Sequence, residues 1–181
     1  MLLDTPLCDF GWKAPEFTLK DFDGTEYTLS EQVGENGLLI VFICNHCPYV
    51  IAIAERLAKD AETLKAQGIN TLAVMSNDYK DYPADSPEKM KLFAAKYQFK
   101  FPYLVDEDQA VGQSYGAICT PDFFGFNSDS ELQYRGRLDD AGRGDGVGRK
   151  PELVEAMSLV ASTGKGPEDQ NPSMGCSIKW T

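Results

Sequence analysis

Leu38-Leu39-Ile40-Val41-Phe42-Ile43 is an unbroken apolar run that stops at Cys44-Asn45-His46-Cys47-Pro48. A run without polar alternation leaves no face for water, so it predicts a strand covered on both sides, in the middle of a sheet. Beyond Pro48 the period changes. Val50, Ala54, Leu57, Ala61 and Leu64 recur at i, i+4, i+7, i+11 and i+14, while Glu55, Arg56, Lys59, Asp60 and Glu62 fall mostly off that stripe. This spacing predicts an amphipathic helix. Pro48 suits its first turn, where a missing N–H costs nothing, and Gly68 closes it. A chain that must bury such a strand and pack such a helix on it is an α/β protein, with a cysteine-bearing turn between the two elements.

The flanking segments extend the pattern. Glu16–Leu19 and Glu26–Leu29, around Asp23-Gly24, predict a β-hairpin. Asn70–Ser76 predicts a second buried strand, and Ser86 with Pro87 opens a helix to about Tyr97. A short strand at Tyr103–Val105 and a short helix at Glu107–Tyr115 follow. Strands at Asp122–Asn127 and Leu132–Arg137 are joined by Ser128-Asp129-Ser130. Residues 136–150 hold five glycines and predict a loop; Pro151–Ser162 predicts a last helix. Gly164–Gly175 reads as a polar tail, with Cys176–Trp180 touching down on the body. The order implies a mixed central sheet flanked by helices on both faces, in a single domain over 1–181 with an N-terminal extension (1–13) and a C-terminal tail (164–181). No repeat of 20–50 residues interrupts it.

Composition narrows the function classes. Of 181 residues, 17 are Lys or Arg and 28 are Asp or Glu, a net charge of −11. That balance argues against a nucleic-acid-binding protein and against an anionic membrane as partner. No apolar run approaches the ~20 residues of a membrane span. The opening residues show no basic stretch, apolar core or small-residue cleavage site, which predicts a cytoplasmic protein. Five cysteines, Cys8, Cys44, Cys47, Cys119 and Cys176, are an odd number in a chain able to bury a core unaided. A secreted disulfide framework does not fit, and no second Cys-x-x-Cys completes a four-cysteine zinc site. The aspartates Asp139, Asp140 and Asp145 lack the spacing of a calcium loop, so no metal is assigned.

Redox use of the cysteines remains. Cys47 sits where a buried strand becomes a helix, so unpaired N–H groups and the helix dipole favour its thiolate. His46, the sole histidine, adds positive charge when protonated. Cys44 stands three residues earlier, a spacing at which two thiols can close a small disulfide.

Three stretches carry a family resemblance. Ala14-Pro15-Glu16-Phe17-Thr18-Leu19 with Asp23-Gly24, Ile40–Pro48, and Tyr115–Phe124 around Thr120-Pro121 resemble the thioredoxin superfamily on its peroxiredoxin-like side, the alkyl-hydroperoxide-reductase and thiol-specific-antioxidant group. The likeness runs from about Ala14 to Ser162. It implies a thioredoxin-like fold and an antioxidant, redox-homeostatic oxidoreductase whose substrate is a peroxide or a protein disulfide. Cys47-Pro48 matches the peroxidatic Cys-Pro, and the family's threonine three residues before it falls on Cys44. The second cysteine of thioredoxin falls on Val50. Thr120-Pro121 matches the cis-proline that presents backbone to substrate. Cys44 is the first choice for the thiol that closes a disulfide with Cys47; Cys119 and Cys176 are further candidates, and Arg137 stands as a candidate thiolate stabiliser. The resemblance implies no prosthetic cofactor, an external thioredoxin-like or small-thiol reductant, and compatibility with an oligomer. Two other classes stay open: a copper-binding or delivery module using Cys44, Cys47 and Cys119, and a redox-silent binding domain on the same fold.

Overall fold

The computed structural model describes residues 1–181. In chain order the elements are β1 (Leu2–Asp4), β2 (Thr18–Asp21), β3 (Glu26–Thr28), α1 (Leu29–Gln32), β4 (Gly37–Phe42), α2 (Pro48–Ile51), α3 (Ala54–Ala66) and β5 (Ile69–Met75). They continue with α4 (Pro87–Lys96), β6 (Tyr103–Val105), α5 (Ala110–Ser114), β7 (Cys119–Thr120), β8 (Asp122–Phe126), β9 (Leu132–Tyr134), α6 (Glu152–Thr163) and β10 (Met174–Ser177). A short 3₁₀ turn at Pro83–Asp85 precedes α4.

Seven strands form one sheet in the order β3-β2-β6-β5-β4-β8-β9. β4, β5 and β6 are parallel; β8 runs antiparallel to β4, and β2 antiparallel to β6. The apolar run lies at the centre of the sheet, as its lack of alternation requires. Its side chains divide by parity: Leu39, Val41 and Ile43 enter one core with Leu57, Leu64, Met90 and Met157. Leu38, Ile40 and Phe42 enter the other with Phe124, Phe126 and Tyr115. Successive strand residues point to opposite faces, so one strand serves two cores.

The hairpin forms at β2–β3, where Gly24 at φ +85° supplies the left-handed turn residue. Ser86 caps α4, its Oγ accepting from Lys89 N–H at 3.4 Å. The helix expected without interruption from Pro48 is two helices. Ala52 keeps helical dihedrals, and the break falls at Ile53, at φ −107°, ψ −6°, which turns into the core beside Val50 and Ala54.

The tail does more than touch down. β10 sits between β1 and β7 in a separate three-stranded antiparallel sheet. Both chain ends are thereby stitched onto the segment that contains Thr120 and Pro121.

Candidate active site

β4 ends inside the core, and the chain turns through Cys44–Cys47 before Pro48 opens α2. Cys44 and Cys47 are both buried. Cys47 is the N-cap of α2, its carbonyl accepting from Val50 and Ile51 N–H at 3.0 and 2.9 Å. Opposite it lies β7, joined to β8 through the cis Thr120-Pro121 bond. Cys44 Sγ is 3.5 Å from Thr120 Oγ1, and Cys47 Sγ, as a thiol, donates to Thr120 O at 3.3 Å.

The two cysteines are driven in opposite directions. The neighbouring Cys44 side chain is the largest cause holding Cys47 down at about 4, well below the ordinary thiol range, against the cost of burial. Thr120 and both the backbone N–H and the thiol of Cys176 add to that lowering. Cys44 is pushed up, first by the adjoining Cys47 side chain, then by desolvation and the Asp85 carboxylate. The balance of these contacts favours the Cys47 thiolate, although the Thr120 carbonyl oxygen at 3.3 Å opposes it.

α2 has only four residues, and the donors that lead the lowering are side chains and the β10 backbone. His46 is turned elsewhere: its Nδ1 lies 2.6 Å from Asp85 Oδ2, and its ring stacks near Tyr82. The expected cation beside Cys47 is thus an imidazole directed at a buried carboxylate. Asp85 is fully buried and also accepts from Asn45 N–H at 2.7 Å and Asn77 Nδ2 at 3.0 Å. Tyr103 Oη donates to Asn45 Oδ1 at 2.9 Å. Asp85, Asn77 and Tyr103 were not legible as site residues. Asp85 stands in a stretch with Asp78 and Asp81, and nothing local distinguishes it from them.

The remaining candidates separate. Cys176 on β10 is only partly buried and packs against the cluster that contains Cys47; burial and Cys47 push its thiol up, while Lys179 and the N-terminal ammonium oppose this. Cys119 is fully buried, 3.8 Å from Pro121 O, and desolvation raises it to about 12. With Thr120 aimed at Cys44, strand alternation turns Cys119 the other way. Arg137 is engaged by Glu152 at 2.6 and 3.1 Å and makes no hydrogen bond to Cys47. It lines a hollow of about 330 Å³ beside Pro121 with Tyr49, Phe123 and Met174. A larger hollow of about 440 Å³, by Lys65 and Phe101, has no cysteine in its wall. Asp139 pairs with Arg56 and Arg149, which occupies its charge.

One group of potential metal ligands lies close together, although His46 and Asp85 face each other at 2.6 Å and the Cys44 thiol is pushed up, which disfavours a bound cation. Cys44, His46 and Asp85 each offer an atom, all within 4.8 Å of one another, a mixture of sulfur, nitrogen and oxygen that a borderline cation accepts.

The family model described as AhpC/TSA family matches residues 10–135. Peroxiredoxin Bcp of Escherichia coli (strain K12) is 29% identical over 116 residues, 64% of this chain and 69% of that one. The crystal structure of an uncharacterized conserved protein from Geobacillus kaustophilus superposes with a TM-score of 0.93 at 38% identity, over 100% of this chain and 97% of its own. Peroxidoxin BcpB from Mycobacterium tuberculosis shares the thioredoxin-like fold, with a TM-score of 0.64 at 15% identity over 84% of this chain and 96% of its own.

Proposed function

The chain belongs to the AhpC/TSA family and is a peroxiredoxin-like thiol oxidoreductase; from that premise we propose that Cys47 is its nucleophile and a hydroperoxide its oxidising substrate. The observation that carries this reading is the placement of Cys47: it caps α2 beside Pro48, faces the cis Thr120-Pro121 segment at 3.3 Å from Thr120 O, and has its thiol lowered to about 4, chiefly by the Cys44 side chain. The thiolate attacks the distal peroxide oxygen; the O–O bond breaks, and the leaving alkoxide takes a proton to depart as alcohol or water. Cys47 becomes a sulfenic acid. A neighbouring thiol then attacks that sulfur and expels water, closing a disulfide.

Cys44 is the closing thiol. It stands three residues before Cys47 in the same turn, buried beside it against Thr120. The His46–Asp85 pair lies within 4.8 Å of it and relays its proton to the leaving hydroxide, which departs as water. An external thiol reductant restores both cysteines, so the cycle needs thiols and no prosthetic group. Five free thiols suit a reducing, cytoplasmic setting. No helix is long and apolar enough to cross a membrane. The site includes β10, because Cys176 on that strand contributes to the lowering of Cys47.

One equivalent of hydrogen peroxide followed by disulfide mapping tests the reading. The expected product is a Cys44–Cys47 bond, absent from Cys47→Ser. A Cys47–Cys176 bond would move the closing role to the tail, and a Cys47 that stays reduced would end the proposal.

A further inference from the structure

β10 lies antiparallel to β7, with Cys176 opposite Thr120 and Ser177 opposite Cys119. Ile178 N–H donates to Ile118 O at 3.1 Å, and Ser173 Oγ to Pro121 O at 2.7 Å. On its far side β10 carries β1, Leu2 facing Cys176. The backbone edge beside the nucleophile is therefore already paired, by the chain's own C-terminal segment. An open strand edge at that place is where an extended polypeptide docks by strand addition, its main chain bonding the edge.

The fit depends on Gly175. A Cβ there would fall inside the shell of Thr120 O and 2.6 Å from the Thr120 carbonyl carbon. Only glycine lets the two backbones approach so closely. Cys47 is 0% exposed, and Cys176 of β10 packs against the core cluster that contains it.

We propose that β10 is a substrate filter: it reserves Cys47 for oxidants small enough to pass the Cys176 side chain, hydroperoxides, and bars polypeptide disulfides from the edge they would need. The inference rests on Cys47 being the attacking thiolate, as proposed above. A hydroperoxide needs only a side-chain excursion, which is fast. A polypeptide disulfide brings its own backbone, and seating it requires β10 to leave Thr120, Ile118 and β1 together, a cooperative local opening. The excluded reaction is also balanced: the Cys47 thiolate would form a mixed disulfide with one sulfur and release the other as thiolate, which needs no further reagent.

The test compares rates of Cys47 oxidation in the reduced full chain by hydrogen peroxide and by insulin, read by intact mass and peptide mapping. With β10 in place, peroxide is expected to react about 100-fold faster than insulin or more, the scale of a cooperative opening of several backbone bonds. Gly175→Val is expected to raise the insulin rate about 10-fold or more, without a matching rise for peroxide. Hydrogen exchange over residues 118–120 reports whether β10 has left the edge. Comparable peroxide and insulin rates in the unmodified protein overturn the proposal. So does an unchanged insulin rate in a Gly175→Val protein whose 118–120 amides exchange freely. Should that variant not fold, Gly175→Ala places a Cβ at the same point, and the ratio in the unmodified protein decides by itself. Failure of peroxide in every protein, with insulin reactivity still released by the glycine substitution, would remove the peroxidase reading and keep the filter.

Discussion

His46 Nδ1 lies 2.6 Å from Asp85 Oδ2, and Asp85 is fully buried. The same carboxylate takes the Asn45 N–H and the Asn77 amide. One residue from beyond β5 thus fixes two consecutive residues of the nucleophile turn. Asp85→Asn replaces one acceptor oxygen by an N–H₂ that faces donors. Each buried group left unsatisfied costs about 1–3 kcal/mol, and more where a charge is involved. The variant is expected to unfold at a clearly lower urea concentration and to form the Cys44–Cys47 disulfide more slowly. Unchanged urea midpoint and closure rate would show that Asp85 does not anchor this turn.

The lowered Cys47 gives a pH dependence with a definite sign. A depressed thiol is ionised above its folded pKa and becomes neutral only as the pH falls through that value. Alkylation of Cys47 by iodoacetamide is therefore expected to be nearly flat from about pH 6 to 8, where an ordinary thiol near 8.5 gains about tenfold per unit. Cys44→Ala removes the leading donor. Its profile should climb with pH over that range, with a rate at pH 6 about tenfold or more below the unmodified protein. Cys44→Ser keeps a donor and should stay close to flat. Identical profiles in all three proteins would show that the Cys44 hydrogen bond does not set the ionisation of Cys47.

Much of this site was legible because its signals are local. The unbroken Leu38–Ile43 run demanded a doubly covered strand, and Pro48 after Cys47 demanded a helix start; both stand where the sequence put them. The break at Ile53 was hidden because Val50 and Ala54 share one stripe whether or not the helix is continuous. Asp85 and β10 were invisible for another reason. Asp85 meets Asn45 across 40 positions, and Ser173 meets Thr5 across 168. Such pairings follow from topology, and no spacing in a single sequence encodes them. Arg137 illustrates the converse: its position in the chain suits the sulfur, but Glu152 on α6 holds its guanidinium.

Behind the cis-proline segment, Arg135 pairs with buried Asp122 at 2.9 Å and stacks over Phe124. Desolvation outweighs this partner and raises Asp122 to about 6. A carboxylate raised on folding is a penalty that is absent below its unfolded value of about 3.9 and complete above its folded one. Arg135→Leu removes the partner and extends that penalty upward; Asp122 then takes up a proton near neutral pH, so the added pH-dependent cost at pH 7 is about 1–1.5 kcal/mol. Urea unfolding at pH 4 and pH 7 checks the sign: the gap between the two proteins should widen at pH 7. An equal gap at both values would trace the loss to packing of the arginine stem.

Arg56 on α3 gathers the glycine-rich loop. Its guanidinium reaches Asp139 Oδ2 at 2.8 Å, Gly142 O at 2.9 Å and Gly144 O at 2.8 Å. Arg149 then ties Asp139 to Asp60 of the same helix, at 3.1 and 2.6 Å. The loop has no strand or helix of its own, so these bonds fix its course past the hollow beside Pro121, where Gly142 and Arg143 form part of the wall. Arg56→Met keeps the apolar stem and removes every one of those donors. Asp139 retains Arg149, so the expected loss is the smaller cost of a charge-assisted bond and two carbonyl bonds, about 2–3 kcal/mol. Hydrogen exchange should quicken by about tenfold or more over residues 141–149 while β4 and β5 remain protected, because local opening follows local bonding. Exchange that rises equally in the central strands would mean that Arg56 supports the whole fold and not the loop alone.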